Sequence, residues 1–205
     1  MERSCNVREI IKMIVVLSVL SLISGGLLAA IHNQTKEQAQ IQLIKYVKGP
    51  ALRKVFQDAS NDPITSRFEI KEGKTTRNVF VGVIDGEPRG IAFETFGKGG
   101  YGGYVGLMVA VDVKDDKLIG VAVTSHSETP GMGARAETDT DFTGQFQGLP
   151  VKDEPFKVRQ DGGTIDALSG ATLTSRAVCL ATTEAAEIYE QIKPEVEEKL
   201  KDFKQ

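Results

Sequence analysis

The stretches VGLMVAVDV at 105–113 and LIGVAVT at 118–124, with KDD at 114–116 between them, decide the fold. Both runs are dense in β-branched and apolar residues, and the polar connection is too short to hold a helix. They therefore read as neighbouring antiparallel strands. Upstream, strand patterns recur at 67–71, 76–84 and 89–95, the last two joined by DGEP at 85–88, and weaker ones follow at 142–146 and 155–159. One strong helical pattern comes late: Ala177, Leu180, Ala181, Ala185, Ile188 and Ile192 keep the three-and-four spacing of a single apolar stripe. Strands first and one long helix last give the α+β class, with the helix laid on the sheet.

Toward the N-terminus, Ile14 to Ile31 is a run of 18 residues without a charge, about 27 Å as a helix and enough to cross a bilayer. Extended by Ile10, Ile11 and Lys12, it makes a transmembrane helix over 10–31, in which Gly25 and Gly26 offer close packing against another helix. A secretory signal has a shorter apolar core and a small-x-small cleavage site; LLAAIHN at 27–33 is a poor one, so an uncleaved anchor is expected. Arg3, Arg8 and Lys12 precede the span, which places residues 1–9 in the cytoplasm and the large domain outside. Cys5 lies before the apolar run and Cys179 beyond it, so no disulfide joins them.

From Lys36 to Phe56 the pattern Ile41, Ile44, Val47, Leu52, Val55 and Phe56 is roughly helical, bent at Gly49-Pro50. It reads as part of a helical stalk over 32–65. A domain over 66–192 and a charged, solvated tail over 193–205 follow. Setting aside Glu2, Arg3, Arg8, Glu9 and Lys12 leaves 22 basic against 26 acidic residues. With no basic stripe, nucleic-acid binding is excluded as a partner class. Two His and two distant Cys give no metal-ligand spacing, so no metal site is expected, and a lone His126 is no proton donor by itself.

Just before the late helix stands DALSGATLTS, from Asp166 to Ser175, with DGG at 161–163 upstream. Ser169 or Thr172 would sit near the first turn. There a hydroxyl can simply cap the helix, or the free N–H groups and the positive dipole end can receive a phosphate. A second segment, HSETPGMG at 126–133, puts Pro130 and Gly131 at the central positions of a type II turn. A third, GKGGYGGYVG at 97–106, lacks the Lys-Ser/Thr ending of a phosphate loop and precedes a strand. It is either a plain hairpin or a wall where backbone comes close to a cofactor, with Tyr101 and Tyr104 available to stack.

DALSGATLTS and the ETPG loop together resemble the FMN-binding domains of the G subunit of the Rnf complex and of the C subunit of sodium-translocating NADH:quinone reductase. The shorter chain favours the first. The resemblance implies an antiparallel-sheet FMN-binding domain in which Thr174 carries FMN through a phosphoester made by a flavin transferase. Ser169, Gly170, Ala171, Thr172 and Leu173 would surround that attachment, and Glu128, Thr129, Pro130 and Gly131 would lie against the flavin. Asp166 would help hold the transferase's metal-bound FAD. The implied role is a membrane-anchored flavoprotein of electron transport in a bacterial cell membrane. It would pass single electrons within a translocase that couples ferredoxin and NAD chemistry to ion transport, with other membrane subunits as partners and no catalytic residue of its own. The rivals are a C subunit of the quinone reductase, a flavin-free membrane-anchored binding or signalling protein, and a stand-alone flavoprotein reductase.

Overall fold

A computed structural model describes residues 7–72, 75–151 and 155–203; Arg3 and Cys5 lie outside them. The chain divides into two units, Met1–Leu43 and Ile44–Gln205. The first is one helix, α1 (Val7–Leu43). Its segment Val7–Lys36 is long and apolar enough to cross a membrane, and its Ile, Leu and Val side chains are exposed. Exposed apolar side chains all round suit a lipid environment.

The second unit opens with a π-turn, Ile44–Lys48, that runs directly into α2 (Gly49–Val55). Gly49 and Pro50 occupy the first turn of α2, where a missing N–H costs nothing. Five strands follow: β1 (Arg67–Glu72), β2 (Thr75–Ile84), β3 (Glu87–Gly100), β4 (Gly103–Asp112) and β5 (Lys117–Ser125). They form an antiparallel meander in sequence order. The glycine-rich segment is a β3–β4 hairpin closed by Gly100 opposite Gly103.

Period-two alternation sorts the strands onto two covered faces. On one, Val79, Ile91, Phe93, Val105, Leu107, Val109 and Val111 meet α5 (Thr172–Asp202) through Ala177, Ala181, Ala185, Ile188 and Tyr189. On the other, Phe80, Ala92, Met108, Ala110 and Ala122 meet Ile44, Leu52, Val55 and Phe56. Eight consecutive residues of β4, Val105 to Asp112, are therefore buried. Each fully buried aliphatic side chain contributes about 1.5–3 kcal/mol. The segment read as stalk thus covers the sheet from Ile44 onward.

Helix α5 lies against the backbone of the sheet at Gly97, where a Cβ would lie 1.8 Å from the carbonyl oxygen of Ala177. Nearby, the hydroxyl of buried Thr95 donates to the carbonyl of Ala181 at 2.9 Å. Leu180, expected in the stripe, points outward. Pro194 does not end the helix. Val196 and Leu200 beyond it are buried in the core, which corrects the reading of 193–205 as a solvated tail.

Between β5 and α5 lie two short helices, α3 (Arg135–Thr138) and α4 (Thr140–Gly144). The strand expected at 142–146 is instead the end of α4 and the turn after it, because Asp139 caps α4, accepting from the N–H of Phe142. At 155–159 the only pairing among the described residues is a single parallel bridge, Val158 to Ile165.

Candidate functional site

Helix α5 starts at Thr172 without a side-chain cap: Ala171 holds the capping position and neither Ser169 nor Thr172 accepts from the first turn. Order comes instead from Ser175. Its hydroxyl accepts from the N–H of Leu168 and donates to the carbonyl of Ala171, both at 3.0 Å. This side chain folds the loop over the helix start, and Gly170 turns it with φ +76°. The first-turn N–H groups are left for another acceptor.

Thr174 is 1% exposed, and its hydroxyl donates to Glu128 Oε2 at 2.6 Å. Glu128 is itself buried. Its other oxygen accepts from the N–H of Gly102 at 2.9 Å, and its own N–H donates to His126 Nδ1 at 3.2 Å. The hairpin tip, the loop after β5 and the start of α5 therefore converge on one carboxylate. Gly133 permits the convergence: a Cβ there would stand 2.4 Å from Glu128 Oε2 and 2.5 Å from Thr174 Oγ1. The turn immediately after Glu128 closes with the N–H of Met132 donating to the carbonyl of Thr129 at 3.2 Å, Gly131 taking φ +76°. That is the type II turn expected from Pro130-Gly131.

A cavity of about 510 Å³ opens over these groups, lined by Tyr101, Glu128, Thr129, Met132, Gly133 and the run Gly170 to Thr174. Its size falls among small-molecule clefts. The lining brings together Glu128, Thr129, Gly170, Ala171, Thr172, Leu173 and Thr174 from the sequence expectation. Ser169, Pro130 and Gly131 are exposed and outside the lining. Asp166 is also outside it, paired with Arg159 at 2.8 Å, while its backbone is clasped by the Gln145 amide at 2.6 and 3.2 Å. Sequence reasoning did not single out Met132 or Ser175. For Ser175 the available signal was its place four residues after Ala171, the spacing of a back-bond to a carbonyl.

Outside the cavity lining, Arg176 grips Asp161 with two hydrogen bonds of 2.6 and 2.7 Å, tying the DGG segment to the N-terminal part of α5. That grip holds the Asp161 carboxyl below the usual range. Exposed Tyr101, Met132 and Leu173 make the rim apolar.

Residues 100–187, which contain all of these groups, match the family model of the FMN-binding domain. An FMN-binding domain is thus the class that fold and site define. The G subunit of the ion-translocating oxidoreductase complex of Vibrio cholerae is 32% identical over 86% of this chain and 88% of its own length. The corresponding G subunit of Methanosarcina acetivorans is 33% identical over 83% and 89%. The chain belongs to this family, the G subunits of ion-translocating oxidoreductase complexes. The C subunit of the Na(+)-translocating NADH-quinone reductase of Parabacteroides distasonis shares the fold, with a TM-score of 0.50, 24% identity, and coverage of 58% of this chain and 63% of that one. The NqrC structure of Shewanella oneidensis likewise has a TM-score of 0.50, at 23% identity over 69% and 72%.

Proposed function

We propose that this chain is a membrane-anchored electron-carrying subunit of an ion-translocating oxidoreductase complex, holding FMN as a phosphoester on Thr174. The observation that carries the reading is the placement of Thr174 among the residues lining a cavity, beside a helix start that no side chain caps. Residues present suit a phosphorylated flavin. The N–H groups of Thr172, Leu173 and Thr174 and the helix dipole favour a phosphate. Tyr101, Met132 and Leu173 offer apolar surface to a flat ring.

Bound FMN supplies one-electron redox chemistry, and the chain supplies attachment, orientation and polarity. Ester formation at a hydroxyl leaves the ring free of covalent strain and prevents loss of the group during turnover. Ser175 holds the loop above α5 in shape, and the Arg176–Asp161 pair ties the DGG segment to the same helix. No side chain here needs to act as acid or base in the electron transfer itself.

The apolar helix Val7–Lys36 is the anchor. Arg8 and Lys12 at its N-terminal end, with Arg3 before it, favour a cytoplasmic N-terminus and a domain on the periplasmic or extracellular face. A flavin transferase as maturation partner and neighbouring membrane subunits as electron partners are part of the same proposal. Asp166, away from the cavity, fits a role in contacting the transferase during maturation.

The test is intact mass of the full-length chain co-produced with a flavin transferase. A gain equal to FMN less water is expected, and it should vanish in Thr174→Val. An unmodified mass in the native chain would end the proposal.

A further inference from the structure

We propose that Glu128 is the proton acceptor in the esterification of Thr174, so that the chain brings its own base to the reaction that loads it. The inference rests on Thr174 being the attachment point. A base must lie within hydrogen-bond reach of the proton it takes, with a third group fixing its orientation. Glu128 Oε2 lies 2.6 Å from the Thr174 hydroxyl. Its other oxygen is fixed by the N–H of Gly102, and the backbone of Glu128 by His126. His126 accepts at Nδ1, so Nε2 carries the proton toward Glu137 at 3.3 Å.

Stability gives this carboxylate little reason to exist. It is 5% exposed, and among the described residues its two oxygens are met by a hydroxyl and a backbone N–H, not by a cation. An isolated carboxylate is costly to bury. The surroundings nonetheless make room for it. A Cβ at Gly100 would come within 2.5 Å of Oε1, and one at Gly133 within 2.4 Å of Oε2. Three separate chain segments thus accommodate one acid against one hydroxyl.

In the loading step, Thr174 Oγ attacks the flavin-side phosphorus of a flavin adenine dinucleotide, forming the Oγ–P bond as the pyrophosphate P–O bond breaks and adenosine monophosphate leaves. The hydroxyl proton passes to Glu128 and from there to solvent. No oxidant or reductant takes part. Once Oγ is esterified it donates no longer, and Glu128 holds the proton it gave up until solvent takes it.

The experiment uses the full-length chain purified without flavin in detergent, a purified FAD-dependent flavin transferase with FAD and magnesium, and mass gain at Thr174 against time. Glu128→Gln keeps an acceptor for the Gly102 N–H and removes the base. It should load about 10²- to 10⁴-fold more slowly, the span of general-base contributions. Loading at the wild-type rate would overturn the proposal. Glu128→Ala opens space beside the cavity, and added formate should accelerate its loading in proportion to concentration. A purely structural Glu128 would leave that rate insensitive to formate, and this arm decides if the Gln variant fails to fold. Absence of mass gain in the native chain contradicts the attachment reading instead, so the two failures are distinguishable.

Discussion

Replacing Gly97 with alanine tests how the helix carrying Thr174 is held to the sheet. The new Cβ would lie 1.8 Å from the carbonyl oxygen of Ala177, whereas ordinary contact begins near 3.4 Å. Backbone meets backbone there, so no rotamer change relieves the clash and α5 must withdraw by about 1.6 Å. A gap of 0.5–1 Å already forfeits about a quarter to a half of each dispersion contact. The buried bond from Thr95 to Ala181 would open too, at about 1 kcal/mol. With overpacking at about 1–3 kcal/mol, the loss is about 2–4 kcal/mol from a typical total of about 5–15. Urea unfolding of the detergent-solubilised chain should show a midpoint lower by roughly 1–2 M. Gly120→Ala is the control, because nothing lies within 4 Å of its added Cβ. A Gly97→Ala midpoint matching the control would refute the close packing of α5 on β3.

Other substitutions probe the site. Thr174→Val should abolish in-gel flavin fluorescence and, against the flavin-free wild-type chain, lower stability by about 1–3 kcal/mol, because a buried Glu128 oxygen loses its donor. Gly133→Ala should lower both flavin loading and thermal midpoint, since its Cβ displaces the Glu128–Thr174 pair; normal loading would count against a direct contact. Burial pushes the Cys179 thiol up to about 12 from 9.0, and the Tyr189 phenol upward from 10.0. Raised folded-state values mean that the unfolded chain loses these protons first. Their stabilisation is complete below pH 9 and should decline as pH rises from 9 toward 12, at about 1.4 kcal/mol per unit for each group while the unfolded form alone is ionised. A flat stability profile over that window would contradict the burial of both groups. The buried Cys179 thiol should likewise resist alkylation until urea unfolds the chain.

Strands were legible because alternation is local: Val105, Leu107, Val109 and Val111 report one face and Met108 and Ala110 the other. The same near-continuous apolar run also carried a signal that both faces are covered. Its partner, the stripe Ile44, Leu52, Val55 and Phe56, read as stalk because nothing in a spacing says which surface a helix meets. Ile192, Val196 and Leu200 kept a four-residue period that Pro194 and the surrounding charges obscured. The segment at 142–146 was misread because two phenylalanines outweighed the cap at Asp139. Of the site, the turn at Pro130-Gly131 follows from residue chemistry. The hydrogen bond between Glu128 and Thr174 joins positions 46 residues apart, and no spacing rule reaches across the turn, α3 and α4. Only the resemblance brought these two segments to one site. It did not single out the role of Ser175, whose hydroxyl takes the place expected of a helix cap.

One bond decides between a flavin carrier and its rivals, and the tryptic fragment 160–176 reports it directly, since it holds Thr174 together with Thr164, Ser169, Thr172 and Ser175. Fragment-ion masses of this peptide from the native chain should carry the added mass of FMN less water, assigned to Thr174. A fragment with the mass of its amino acids alone, or a gain placed on another hydroxyl, would contradict that assignment.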